Sequence, residues 1–103
     1  MKKIWILCAW IALAAAPAMA LDGKALYNSK SCGMCHGPGG MSSNKMFPSL
    51  AGKDASFLAL ETMKIKDGRR TGPMSNAMKN NSGVKHLTEA EAQAIGEYLA
   101  SVK

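Results

Sequence analysis

Aromatic residues are scarce in this 103-residue chain, with two each of Trp, Tyr and Phe, and alternating β-branched stretches are missing altogether. No segment therefore reads as a strand, and the expected fold class is all-α. Cysteine is equally sparse: Cys8, Cys32 and Cys35 are the only three, too few for a scaffold of several disulfides. No basic run is long enough to argue for nucleic acid, and neither an internal repeat nor a heptad is visible. Long apolar runs are limited to one of 13 residues, Ile4 to Ala16, short of the roughly 20 that a membrane-spanning helix needs. A membrane bundle, a two-domain enzyme and a collagen-like chain are all excluded by this inventory.

That single apolar run has a form of its own. It follows Met1-Lys2-Lys3 and ends in Pro17 and Ala18-Met19-Ala20, the pattern of a secretory signal peptide with an A-x-A cleavage site. An uncleaved anchor is the alternative. Cys8 does not suit lipidation, because Leu7 stands where a small residue would be needed. The expected organisation is a leader over 1–20 and one domain over 21–103, exported to the periplasm without stable membrane insertion. The leader holds 17 of the apolar residues, so the 48% of the whole chain falls to 32 of 83 in the domain. Such a small core usually needs a disulfide, a metal or a cofactor to be stable.

Within the domain the segments read as helices joined by loops. Asp22 can cap a short helix through Ala25, Leu26 and Tyr27 that runs straight into Cys32. Residues 37–53 are rich in Gly, Pro, Ser and Asn and read as an irregular loop. Asp54 can open a second helix to about Lys66, with Ala55, Leu58, Ala59, Thr62 and Met63 on one face and Phe57, Leu60 and Ile65 off it. A helix apolar on more than one side is usually buried from more than one side. Residues 67–87 read as a polar loop, and Thr88-Glu89-Ala90-Glu91 is a capping box opening a last helix with Ala92, Ile95, Gly96 and Leu99 on one face. The domain carries 11 Lys and Arg against 7 Asp and Glu, and Lys64, Lys66, Arg69 and Arg70 form the tightest basic cluster. That cluster reads as a solvated helix end, with a docking patch for an acidic partner as the alternative.

Cys32-Gly33-Met34-Cys35-His36 carries the chemistry. C-x-x-C-H is the attachment motif of c-type haem: two thiols form thioethers with the vinyl groups, and the adjacent imidazole binds iron. One helical turn sets both sulfurs along one edge of the porphyrin. The competing readings fit less well. Zinc wants four ligands in finger spacing, and only the distant His86 is added to the three here. A thioredoxin-like pair needs a βαβ context, and a structural disulfide leaves His36 unexplained.

With these residues in place the chain resembles the small bacterial class I cytochromes c. They share the helix of Asp22 to Tyr27, the C-x-x-C-H-G of Cys32 to Gly37, the motif Phe47-Pro48-Ser49-Leu50-Ala51-Gly52, and a closing helix like Leu87 to Leu99. The resemblance implies three to four short helices wrapped around one covalently attached haem c. It implies that the Pro48 carbonyl accepts from the His36 ring, and that Gly23 and Tyr27 cross the last helix at Ile95 and Tyr98. It also implies a methionine as sixth ligand, which holds iron low-spin and raises its potential.

Residues 21–103 offer six methionines. Met34, Met41, Met46 and Met63 suit gap filling, whereas Met74 and Met78 lie before the last helix, where the family places its ligand. Met78, ten residues after Gly68, is preferred to Met74, which follows Pro73 but precedes Leu87 by 13 residues. His86 is a further alternative, as a bis-His ligand, and Asn80 or Asn81 could donate to the ligand sulfur.

The function this implies is that of a monomeric periplasmic one-electron carrier rather than an enzyme. Its partners would be a quinol-oxidising complex or dehydrogenase as donor and a terminal oxidase or reductase as acceptor in a respiratory chain. Two other readings stand beside it: the electron-accepting subunit of a periplasmic dehydrogenase, and a gas-binding or peroxidatic haem protein with an open sixth site.

Overall fold

The computed structural model describes residues 21–102; the expected leader at 1–20 lies outside the described residues. Six α-helices and one 3-10 turn follow in order, and no strand occurs among the described residues. The helices are α1 (Gly23–Ser29), α2 (Gly33–His36), α3 (Ala55–Lys66), α4 (Pro73–Asn80), α5 (Ser82–Lys85) and α6 (Glu89–Ala100), with the 3-10 turn at Pro38–Gly40. Four exceed one turn, matching the three to four expected, and α2 and α5 are single turns.

The caps explain the boundaries. Asp22 Oδ1 accepts from the Ala25 amide at 3.1 Å and Asp54 Oδ2 from Phe57 at 2.9 Å, each satisfying an amide left unpaired at a helix start. Thr88 and Glu91 form the expected reciprocal box at α6, with bonds of 2.9 and 3.1 Å. The α1 helix ends in a Schellman motif. Cys32 N donates to Tyr27 O at 3.1 Å and Ser31 N to Asn28 O at 3.2 Å, while Ser31 takes the left-handed conformation with φ 64°. That turn delivers Cys32 directly into the start of α2.

One expectation is corrected. Residues 67–87 are not a loop: α4 and α5 occupy most of them. Pro73 sits at the first turn of α4, where a missing amide proton costs nothing, and Asn81 caps α5 by accepting from Gly83 N at 2.8 Å. The polar composition concealed a helix because α4 presents only a narrow apolar face.

Helices α3 and α1 both pack on α6. The core unites Tyr27, Leu58, Ala59, Leu87, Ala92, Ile95 and Leu99, with Tyr98 packed against it. Close approach depends on two glycines. A Cβ on Gly23 would run into the Ala94 carbonyl and stand 2.8 Å from Tyr98 Cβ, and one on Gly96 would stand 2.6 Å from Ala55 O. The expected crossing of first and last helices is therefore present, with Tyr27 and Tyr98 ring centroids 5.8 Å apart. Lys66 Nζ, donating to Leu87 O at 2.7 Å, ties the end of α3 to the start of α6.

Gly23→Ala should destabilise the haem-loaded protein by about 1–3 kcal/mol, because the obstructing atoms are backbone. Thr88→Ala should cost about 1 kcal/mol for the lost cap. Denaturant unfolding of both variants checks the ranking; equal stability of Gly23→Ala and the parent would show that the helices do not meet here.

Candidate functional site

The C-x-x-C-H residues lie on the wall of a cavity of about 480 Å³ between α2, α3, α4 and α6. This is within the roughly 300–1,000 Å³ common for small-molecule sites. Cys32, Cys35 and His36 line it, and both thiols are free. Burial pushes the Cys32 thiol up from its ordinary value, the opposite of what an activated redox pair requires. Among the described residues no three of His, Cys, Asp and Glu converge as a metal cluster, which leaves the zinc reading without support.

His36 is held by the loop that follows it. The Pro48 carbonyl, which can only accept, is 2.9 Å from His36 Nδ1, so Nδ1 donates and Nε2 is the ring nitrogen left to bind a metal. Phe47 stands edge-on to the imidazole, with centroids 6.4 Å apart. Leu50 N donates to Gly40 O at 2.7 Å and Gly52 N to Leu99 O at 2.8 Å, which pins the chain just after the Pro48 carbonyl. Phe47, Pro48, Leu50 and Gly52 of the 47–52 motif thus each have a mechanical role. An imidazole fixed through its other nitrogen is the arrangement that metal-binding histidines adopt.

Of the six methionines, Met46, Met74 and Met78 line the cavity; Met34, Met41 and Met63 do not. Met74 and Met78 sit one turn apart on α4, so the loop from which their spacing was read is helical. His86 is exposed and does not line the cavity, whereas Asn81 does, with its Oδ1 already accepting from Gly83 N. Sequence reasoning missed Phe57 and Ile65 as lining residues. The signal was partial: both fell off the first apolar face of α3, but Leu60, set apart with them, does not line the cavity, and Leu58 and Thr62 of the first face do. Two carboxylates offset half of the basic cluster, with Lys64 and Arg70 sharing Glu61 at 3.2 and 3.0 Å and Arg69 on Asp67 at 3.0 Å.

Two thiols, an imidazole with one ring nitrogen left, thioethers and an otherwise mainly apolar lining suit a covalently held haem. Fold and site together define a small monohaem domain of the class I type. The chain belongs to the cytochrome c family, whose profile matches residues 20–103, and its cofactor is covalently attached haem c.

Individual relatives agree. Cytochrome c-551 of Stutzerimonas stutzeri is 36% identical over 110 residues, covering 100% of both chains. Cytochrome c-553 of Nitratidesulfovibrio vulgaris is 32% identical over 106 residues, covering 99% of this chain and 100% of its own. A protein named thiosulfate dehydrogenase electron acceptor, from Stutzerimonas stutzeri, is 33% identical over 84 residues; these are 82% of this chain but 38% of that relative, so the chain spans well under half of its length.

Tyr27 yields a pH test. It is fully buried, its hydroxyl donates to Gly37 O at 2.6 Å, and burial, with the neighbouring Cys32 thiol adding to it, pushes its pKa from 10.0 up to about 12. A raised folded-state pKa gives stability that is complete below pH 10 and lost as pH climbs toward 12. In Tyr98→Phe, where Tyr27 is the remaining tyrosine, tyrosinate absorbance should develop near pH 12. Ionisation near 10 would show that the hydroxyl is reached by water.

Proposed function

We propose that the protein is a periplasmic one-electron carrier whose haem is joined to Cys32 and Cys35 by thioethers and ligated by His36 and Met78. The observation that carries the reading is the His36–Pro48 bond at the wall of a cavity that also holds both thiols. When bound, the haem supplies reversible exchange of one electron between ferrous and ferric iron. Cys32 and Cys35 would fix it in one orientation, and Pro48 would hold the His36 ring and raise its basicity. Met78, on the wall of the same cavity, would supply a thioether ligand that favours the reduced state. With His36 and Met78 both given to the iron, no position would be left for a substrate, and the protein would act as a carrier rather than an enzyme.

Export through residues 1–20 would carry it to the periplasm; no helix of the described residues is long and apolar enough to cross a membrane. Donor and acceptor are redox proteins of that compartment. The similarity to a thiosulfate dehydrogenase electron acceptor supports a second reading, in which the chain takes electrons as a subunit of a dehydrogenase acting on a sulfur compound. Size-exclusion of the native protein separates the two: a free carrier elutes as a monomer, a subunit with its larger enzyme.

The ferric protein should be low-spin, with the weak far-red sulfur-to-iron band, and slow to bind carbon monoxide when reduced. Met78→Ala should abolish the band and open the iron to carbon monoxide, while Met74→Ala should retain it. Because Met74 lines the same cavity, the reverse outcome would transfer the ligand to Met74. A high-spin spectrum in the parent would instead favour gas binding.

The haem-free chain should be largely unfolded, since core residues Leu58, Ile95 and Leu99 line the cavity and would lose their packing on that side. Far-ultraviolet dichroism of chain made without haem attachment tests this, and a native helical spectrum would contradict it.

A further inference from the structure

The face that α3 turns to the cavity consists of Phe57, Leu58, Glu61, Thr62 and Ile65. Glu61 is the one carboxylate among the lining residues, in a stripe that is otherwise apolar apart from a threonine whose hydroxyl is turned to Leu58 O at 2.7 Å. It caps no helix. An ionised acid in such a wall has a desolvation cost that a neutral side chain would avoid, so its place calls for a reason.

Its surroundings supply one. The Glu61 side chain is 21% exposed; Oε1 accepts from Arg70 Nη1 at 3.0 Å and Oε2 lies 3.2 Å from Lys64 Nζ. Arg70 is nine residues further on, and the backbone brings it back. Gly68 turns the chain with φ 77°, and the amides of Arg69 and Arg70 both donate to Lys64 O, at 2.8 and 3.2 Å. The two adjacent arginines then part company. Arg70 lines the haem cavity, whereas Arg69 pairs with Asp67 on a separate groove of about 280 Å³ between α3 and α6.

We infer that Glu61 and Arg70 form a counterbalanced charge pair in the wall of the haem cavity that poises the reduction potential of the iron. The inference rests on haem occupying that cavity. A positive charge beside the iron favours the ferrous state and a negative one the ferric state, and both act more strongly across a protein wall than through water. As a bound pair they nearly cancel, and Lys64 on the other carboxylate oxygen leaves the cluster one positive charge over. Each is held by the other, so the iron experiences a defined field rather than that of a mobile arginine.

Potentiometric titration of the haem-loaded protein at constant pH and low salt tests this, with the far-red band recorded in every variant to show that ligation is unchanged. Arg70→Gln should lower the midpoint potential, Glu61→Gln should raise it, and the double variant should fall between them near the parent. Arg69→Gln, the control on the other face, should leave it unmoved, as should the charge-conserving Arg70→Lys. Added salt should shrink the shifts, because the Arg70 side chain is half exposed. The inference is overturned if Arg70→Gln moves the potential no further than Arg69→Gln, or if Glu61→Gln lowers it. Should Arg70→Gln fail to load haem, the sign of the Glu61→Gln shift decides. A parent protein without haem absorption would defeat the haem reading itself; haem and band intact, with one potential across all variants, would defeat only the charge pair.

Discussion

The hydrogen bond from the Tyr27 hydroxyl to the Gly37 carbonyl, 2.6 Å long, links the two halves of the molecule's logic. Tyr27 belongs to α1, where it packs against Tyr98 of α6; Gly37 is the residue immediately after His36. One side chain therefore couples the crossing of the terminal helices to the turn that presents Cys32, Cys35 and His36. Its full burial makes the bond hard to give up, since an unpaired hydroxyl there would bear the cost of lost solvation. The left-handed Ser31 works on the same segment from the other side, ending α1 so that Cys32 begins α2 without an intervening loop.

Around that anchor the chain solves a shortage of core. Helix α3 is the element with two duties. Ala59 and the approach of Gly96 to Ala55 bring one side onto α6, and the stripe from Phe57 to Ile65 faces the cavity. Phe57 is 51% exposed, a position for a large aromatic that makes sense when a flat apolar cofactor completes the packing. The loop over 47–52 is made rigid by main-chain bonds to Gly40 and Leu99 rather than by regular structure, which suits a segment whose task is to aim one carbonyl at one imidazole.

Much of this was legible in the residues. C-x-x-C-H pointed to covalently attached haem c because its spacing is local, and Asp22, Asp54 and the Thr88–Glu91 box marked helix starts because a cap acts within four residues. The resemblance carried by Phe47-Pro48-Ser49-Leu50-Ala51-Gly52 led to the His36–Pro48 bond. What failed was the segment from 67 to 87. Its Gly, Asn and Ser content weighed against helix, yet α4 forms there, stabilised by tertiary contact with α3 rather than by propensity. The spacing argument for Met78 assumed a loop, so helix α4 now sets the terms, with Met74 and Met78 one turn apart on the same wall.

The sequence by itself determined the helical class, the covalent attachment chemistry and the need for a cofactor, since each depends on residue types a few positions apart or on composition. Tertiary structure alone decided which side chains share the cavity. It kept His86 out, brought Glu61 and Arg70 in, and sent the neighbouring Arg69 to the opposite groove. The physical reason is that direction on a helix or turn depends on where its partners pack: a left-handed glycine and two bonds to one carbonyl place Arg70 beside a carboxylate nine residues away, a meeting that no local pattern encodes.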